Sequence, residues 1–68
     1  MKNRVEQLRK ERNIRQEELA KVLGVSRQTI SSLENGRYNP SILLAYKIAK
    51  FFDMTIEDVF CFDEEDLK

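Results

Sequence analysis

A row of polar side chains in the middle of the chain has the chemistry needed to read nucleic-acid bases. Gln28, Ser32 and Asn35 stand four and three residues apart, so a helix would align them on one outward face. Arg27 and Ser31 would form the neighbouring row. In the major groove Gln can bond to adenine and Arg to guanine through two hydrogen bonds, and small serines let a helix enter. The pattern therefore predicts a base-reading helix, with an ordinary solvated polar face as the alternative.

The residues around this row predict a helix-turn-helix. One amphipathic helix begins near Gln16, and Gly24 is a suitable stop for it. Ser26 can then cap the next helix by accepting a hydrogen bond from a free backbone N–H. The short turn between the two helices contains a glycine, as is typical of this motif. The residues that share the inward faces, together with Val25 from the turn, are Leu19, Ala20, Leu23, Ile30 and Leu33.

Three further helices are predicted outside this unit. A first helix can end at Asn13 in a left-handed conformation, and a fourth can begin at Ser41. Thr55 and Asp58 match a capping box that opens a short fifth helix. Residues 60–62 then either form a short strand or pack against the core. The inward face of the fourth helix consists of Leu44, Ala45, Ile48, Ala49 and Phe52.

The formal net charge of the 68 residues is zero, but the charges are divided along the chain. Residues 1–52 contain eleven Lys and Arg and five Glu, a net charge of +6. Residues 53–68 contain one Lys and seven acidic residues, a net charge of −6. Because the local charge sets the local field, a nucleic-acid surface on the first part is compatible with a neutral total. An ordinary charged surface with an acidic, solubilising tail is the alternative.

Several functional classes are disfavoured by composition. The chain has no His, and Cys61 is its single cysteine, so a disulfide framework or a cysteine-based zinc site is not expected. We also find no Gly-rich phosphate loop and no nucleophile beside a base. An enzyme, a cofactor, a metal and a small-molecule ligand are therefore not expected. The longest apolar run, residues 42–46, is too short to span a bilayer, and no signal peptide is evident, which predicts a cytoplasmic protein without a membrane partner.

The segment QEELAKVLGVSRQTISSLENGRYNPS, residues 16–41, resembles the helix-turn-helix of the Cro/C1-type (XRE family) bacterial and phage repressors. The resemblance covers roughly residues 4–60 and is closest to the compact, single-domain regulators of that family. It implies an all-α, five-helix, lambda-repressor-like DNA-binding domain over residues 1–68, with the helix-turn-helix at about 16–35. The residues that stand at the family's spacing are Gln16, Leu19, Ala20, Gly24, Val25, Ser26, Ile30, Leu33, Glu34, Gly36 and Pro40.

The resemblance also implies a role for each polar residue near the predicted turn. The base-reading positions correspond to Arg27, Gln28, Thr29 and Ser32. The phosphate-binding positions correspond to Gln16, Ser26, Asn35, Arg37, Tyr38 and Ser41, and Gln16 should also brace the recognition helix. The alternative role of Asn35 is to form the turn after that helix. Arg9 and Glu34 correspond to the family's internal salt bridge. Arg15 is a departure, because the family usually has Ser or Thr there as a cap worth about 1 kcal/mol. Its side chain either contacts a phosphate or is solvated.

Family members usually bind palindromic operators as dimers, and the C-terminal segment 53–68 is where we expect an interface. Ile56, Val59, Phe60 and Phe62 are more apolar residues than a short terminal segment needs. We predict that Phe60 or Phe62 contributes to a homodimer interface; the alternative is that both complete the monomer core. The resulting hypothesis is a dimeric repressor that binds double-stranded DNA. An antitoxin or adaptor that acts mainly through a protein partner is the competing hypothesis.

Overall fold

The computed structural model describes residues 2–62, which form five helices and a two-stranded antiparallel sheet. The predicted five-helix fold is confirmed, and of the two alternatives for residues 60–62 a short strand forms at Phe60–Cys61. The sequence pattern gives no indication of the first strand. The acidic residues 63–66 lie outside the described residues. In chain order the elements are β1 (Lys2–Asn3), α1 (Val5–Glu11), α2 (Gln16–Leu23), α3 (Arg27–Glu34), α4 (Ile42–Phe51), α5 (Ile56–Val59) and β2 (Phe60–Cys61).

One apolar core joins all five helices. The inward faces predicted for α2, α3 and α4 are all buried, because apolar residues spaced three or four apart fall on one side of a helix. Six side chains are completely inaccessible to solvent, and they come from every helix, so each helix is held by the same core. These are Val5, Leu19, Ile30, Leu33, Ile48 and Val59.

The helix ends carry the local signals that the sequence predicted. Gly24 ends α2 with a φ of 75°, a conformation that strains any residue with a Cβ. Asn13 follows α1 with a φ of 56°, as expected for one of the few non-glycine residues that tolerate this region. The hydroxyl oxygens of Ser26, Ser41 and Thr55 each accept a hydrogen bond from a backbone N–H three residues later. The turn and cap positions of α3, α4 and α5 are therefore confirmed.

The small sheet ties the two ends of the described chain together. Asn3 of β1 lies opposite Phe60 of β2, and the backbone N–H of Arg4 donates to the carbonyl of Val59 at 2.8 Å. Phe60 is only 1% exposed and belongs to the monomer core, whereas Phe62 is 51% exposed. The prediction of an interface at Phe60 therefore needs correction, since a side chain enclosed by its own monomer cannot contact a second copy.

Candidate nucleic-acid interface

The start of α3 presents its polar residues on the side opposite the core. Ile30 and Leu33 anchor the helix and are fully buried, whereas Arg27 and Gln28 are exposed. Ser32 lies one helical turn after Gln28 and is half-buried. The structure thus brings these candidates together on one accessible face, as the spacing predicts.

Among the candidate base readers, Thr29 is hydrogen-bonded within the first turn of α3. Its side chain is half-buried, and its hydroxyl lies 2.9 Å from the hydroxyl of Ser26. The oxygen of Ser26 also accepts from the backbone N–H of Thr29 at 3.1 Å, which closes the N-terminal cap of α3. Both residues therefore help to form the first turn of the helix, and their hydroxyl groups are already engaged there.

The starts of α2 and α3 lie next to each other and share a cationic surface. Arg15, Gln16 and Arg27 line one shallow depression, together with part of Arg9 and Glu17. The first turn of α3 contains no acidic residue. Because a helix N-terminus carries partial positive charge and free N–H groups, the start of α3 with its neighbouring arginines favours an anion such as phosphate, whereas the first turn of α2 already contains Glu17 and Glu18.

The remaining phosphate-binding candidates follow α3 along the chain. Asn35, Arg37 and Tyr38 are exposed in the segment that leaves the end of α3, and Tyr38 is 40% exposed. Ser41 is exposed at the start of α4, where its hydroxyl caps that helix by accepting from the N–H of Leu44 at 3.1 Å. These side chains are accessible from outside, which is the first requirement for contact with a nucleic-acid backbone.

Three polar side chains form a closed network beneath the end of α3. Arg9 donates two hydrogen bonds to Glu34, from Nε to Oε2 at 2.8 Å and from Nη2 to Oε1 at 3.1 Å. Gln16 donates from Nε2 to Glu34 Oε1 at 2.9 Å. Only 1% of the Glu34 side chain is exposed. The predicted Arg9–Glu34 salt bridge is confirmed, and the bracing role of Gln16 takes the form of a direct bond to the same carboxylate.

The geometry of this network keeps Arg9 charged. Its hydrogen bonds to Glu34 raise the pKa of the guanidinium, although burial acts in the opposite direction. Its third donor, Nη1, bonds to the carbonyl of Ile14 at 2.9 Å, so the buried guanidinium is well satisfied. The end of α3 is consequently fixed to α1 and to the segment before α2 by a charged group, each of whose three nitrogens donates one hydrogen bond.

The start of α2 shows how the chain manages without a Ser or Thr cap. An Arg side chain has no acceptor, and Arg15 makes no cap bond. Instead, Glu18 Oε1 accepts from the backbone N–H and from Nε of Arg15, both at 3.2 Å. The hydrogen bond from the backbone N–H, followed by that from the side chain, lowers the pKa of Glu18. The start of α2 therefore keeps the half of a capping box that Glu18 supplies and lacks the half that a Ser or Thr at position 15 would supply.

Asn3 is a residue that sequence reasoning missed. Its side-chain amide bonds to the carbonyl of Leu33 in α3 at 2.8 Å and to the N–H of Val5 at 3.1 Å. Asn side chains commonly accept a hydrogen bond from the backbone N–H two residues later, so the second bond could have been expected from Asn3 alone. No pattern in the sequence indicates the first, because it joins residues thirty positions apart.

Neither a cluster of metal-binding side chains nor a membrane-spanning helix is present within residues 2–62. That range contains no group of three or more His, Cys, Asp or Glu side chains that could hold a metal ion. None of its helices is long and apolar enough to cross a membrane.

Residues 5–59, which span all five helices, match the helix-turn-helix family. The chain is 57% identical over 67 residues to an uncharacterized HTH-type transcriptional regulator of Archaeoglobus fulgidus, covering 98% of this chain and 94% of that protein. It is 51% identical to the HTH-type regulator YgzD of Bacillus subtilis, covering 96% and 98% of the two chains. It is 39% identical over 61 residues to the transcriptional activator BcrR of Enterococcus faecalis, covering 90% of this chain and 30% of BcrR. The chain therefore belongs to the Cro/C1-type (XRE) helix-turn-helix family of transcriptional regulators, which bind DNA and are not enzymes.

Proposed function

We propose that the protein is a dimeric repressor that reads a palindromic operator by inserting α3 into the major groove. The observation that carries this proposal is the division of α3 into a buried side and an accessible one. Ile30 and Leu33 fix the helix to the core, and Arg27 and Gln28 project from its N-terminal turn. Recognition helices of this motif point their N-terminal residues at the bases.

In this proposal each side chain on the accessible face has a chemical task. Arg27 bonds to the O6 and N7 of a guanine, and Gln28 bonds to the N6 and N7 of an adenine. Thr29 and Ser32 supply supplementary contacts, since a hydroxyl can donate or accept and a methyl group can pack on thymine. Their small side chains also allow the helix axis to come close to the bases.

The phosphates on both sides of the groove are bound by groups that border α3. These contacts set the register of the protein on DNA and carry no sequence information themselves. Exposed arginine and tyrosine side chains after α3, and the starts of α2, α3 and α4, support this assignment. The proposed phosphate-binding residues are Gln16, Ser26, Asn35, Arg37, Tyr38 and Ser41.

Phe62 is the proposed centre of the dimer interface. It is a large aromatic residue that is 51% exposed directly after β2. A two-fold dimer would place the two α3 helices one helical turn of DNA apart, roughly 34 Å. Because BcrR is named an activator, the direction of regulation is best decided with a reporter gene that carries the operator. We propose repression, in the cytoplasm, where a bacterial or archaeal regulator meets its DNA.

The proposal is tested by selecting binding sites from a random duplex library and measuring the affinity of the winning duplex over a salt series. A palindromic consensus is expected, with an affinity that falls steeply as salt rises because phosphate contacts release counterions. Failure to enrich any sequence, with weak binding that is equal for all duplexes, would overturn sequence-specific recognition by this chain.

The dimer is tested separately by sedimentation velocity over a concentration series. Phe62→Ser is expected to shift the protein toward monomer, because the exposed aromatic surface is lost. Val22→Ser is the matched control, since Val22 is 64% exposed on α2 and has no part in the proposed interface. A monomeric wild-type protein at micromolar concentration, or equal behaviour of both variants, would contradict the role of Phe62.

A protein-interaction role is the second candidate, and α4 carries the observation that favours it. Ile42, Leu43 and Tyr46 are 82%, 61% and 51% exposed on the first turns of this helix. Exposed apolar residues that adjoin each other on one helix are typical of interaction surfaces. If the library selection enriches no sequence, an antitoxin or adaptor that acts through a protein partner becomes the better interpretation.

A further inference from the structure

We infer that Asn3 is a positioning residue for α3, an inference that rests on the proposed reading of bases by this helix. The side-chain amide of Asn3 joins three elements at one point. Nδ2 donates to the carbonyl oxygen of Leu33 in the last turn of α3 at 2.8 Å. Oδ1 accepts from the backbone N–H of Val5, the first residue of α1, at 3.1 Å. The backbone of Asn3 belongs to β1, opposite Phe60 in β2.

The two neighbours of this amide fix its orientation and its chemical identity. One neighbour is a pure donor, the N–H of Val5, and the other is a pure acceptor, the carbonyl of Leu33. A flipped amide would place a donor against a donor and an acceptor against an acceptor. Asn is therefore suited to this point, since a carboxylate supplies only acceptors and a serine hydroxyl does not reach both neighbours.

The bond to Leu33 is made to one of the four carbonyls that a helix leaves without a regular partner at its C-terminus. The backbone N–H of Gly36 donates to the same oxygen at 3.0 Å, so this carbonyl has both a local and a distant donor. The next residue, Glu34, is held by Arg9 and Gln16. The last turn of α3 is consequently anchored from β1, α1 and α2 together.

Anchoring the last turn controls the position of the first. The eight residues of α3 span about 12 Å at 1.5 Å per residue. Over that length, a tilt of about 5° at one end moves the other by about 1 Å, enough to spoil a directional hydrogen bond. A weakened anchor should therefore impair the base contacts of Arg27 and Gln28 more than phosphate contacts, which depend mainly on charge.

The test compares Asn3→Asp and Asn3→Ser with wild type at a temperature at which circular dichroism shows every variant to be folded. Asp keeps an oxygen that can accept from the N–H of Val5 but removes the amide N–H that donates to Leu33. Ser also removes this amide N–H and adds no charge. The quantity measured is the affinity ratio between the duplex selected by wild type and a scrambled duplex. The ratio is used because the added charge of Asp weakens binding to both duplexes.

We expect the affinity ratio to fall about three- to tenfold in both variants, the effect of losing roughly one hydrogen bond. Ile48→Val is the matched control, because it weakens the shared core from α4 but removes none of the hydrogen bonds that hold the end of α3, and it should leave the ratio unchanged. Lower thermal stability in the Asn3 variants with an unchanged ratio would show that Asn3 is only structural, and would overturn the inference.

A second readout needs no DNA and separates this inference from the proposed function. Amide hydrogen exchange at Gly36 and Arg37, whose N–H groups close the end of α3, should be about three- to tenfold faster in Asn3→Asp. Unchanged exchange there would overturn the positioning role even if base reading is confirmed. A wild-type protein that enriches no sequence would instead count against the proposed function, and the exchange rates would still decide whether Asn3 anchors α3.

Discussion

The two ends of α3 differ in how they are connected to the rest of the molecule. At the first turn, Arg27 and Gln28 are exposed, and their side chains make no hydrogen bond to any other group among residues 2–62. At the last turn, Glu34 accepts three hydrogen bonds from Arg9 and Gln16. The carbonyl of Leu33 accepts a further one from Asn3. One end is thus free to meet a ligand, and the other end is fixed.

This difference suggests how an eight-residue helix can serve as a reader. Side chains that bind bases need donors and acceptors without partners inside the protein, but a helix that carries them must keep one orientation. Placing the hydrogen bonds to other elements at the opposite end meets both needs, because they do not compete with DNA for the side chains of Arg27 and Gln28. Substitutions that remove an anchor of the last turn should therefore lower stability as well as affect base reading, whereas substitutions of Arg27 or Gln28 should change binding alone.

The largest effect is expected from Glu34→Gln. The substitution keeps the size of the side chain but removes the carboxylate that is hydrogen-bonded to the buried guanidinium of Arg9. Breaking one side of a buried pair typically costs about 3 kcal/mol, a large part of the stability of a small domain. Urea denaturation followed by circular dichroism measures this loss.

Glu6→Gln is the control for the loss of Glu34, because Glu6 belongs to an exposed pair with Lys10 at 3.5 Å. Removing an exposed pair should cost at most about 0.5 kcal/mol. Equal stability of the Glu34 and Glu6 variants would contradict the view that the last turn of α3 is held by a buried charge.

Gln28→Ala should have the opposite profile. We expect binding to the selected duplex to weaken by about 1–3 kcal/mol, with relaxed preference at one base pair and nearly unchanged stability. Gln7→Ala is the control, since Gln7 is an exposed Gln on α1 that bonds only to Glu11 among the described groups. Competition binding against duplexes that carry each single base-pair change in the site measures the loss of affinity and the change in base-pair preference. An equal loss on all sequences would argue against base reading by Gln28.

Arg37→Ala should weaken binding to every sequence by a similar factor. Arg37 is exposed just beyond the fixed end of α3, and we expect it to bind a phosphate. Losing one phosphate contact lowers the slope of log affinity against log salt by about 1. Lys10→Ala, which removes an exposed cation from α1, is the control and should leave the slope unchanged. The same slope in Arg37→Ala and wild type would show that Arg37 touches no phosphate.

The features of α3 that were predictable from sequence are those encoded by neighbouring residues. Ser26 caps α3 by accepting from the N–H three residues later, Ile30 and Leu33 lie at helical spacing, and Gly24 ends the preceding helix. Local signals of this kind act over a few residues, so they can be read without knowing the fold. The reading end of the helix was therefore found from the spacing of its own residues.

The anchors at the other end could not be read in this way. Arg9 and Glu34 are 25 residues apart, and their pairing was expected only from the resemblance to a family. Asn3 and Leu33 are 30 residues apart, and β1 is a two-residue strand too short to show an alternating pattern. The choice between Phe60 and Phe62 also depends on how β2 meets the core, which composition does not specify.

The smallest effect concerns a cap that touches neither end of α3. The backbone N–H of Thr55 donates to the carboxylate of Asp58 at 3.2 Å and lowers the pKa of that carboxyl below its ordinary value of 3.8. The carboxylate of Asp58 therefore takes up a proton more readily in the unfolded chain than in the folded one. The stabilisation of α5 by the cap is complete above the ordinary pKa and is lost as pH falls through the lower pKa of the folded state. Asp58→Asn cannot titrate, so the gap in unfolding free energy between wild type and variant should narrow between about pH 6 and pH 3. If urea denaturation shows a constant gap over this range, the assignment of the cap to Asp58 is contradicted. In the folded Asp58→Asn variant α3 keeps all its anchors, so its ratio of affinities for the selected and the scrambled duplex should equal that of wild type.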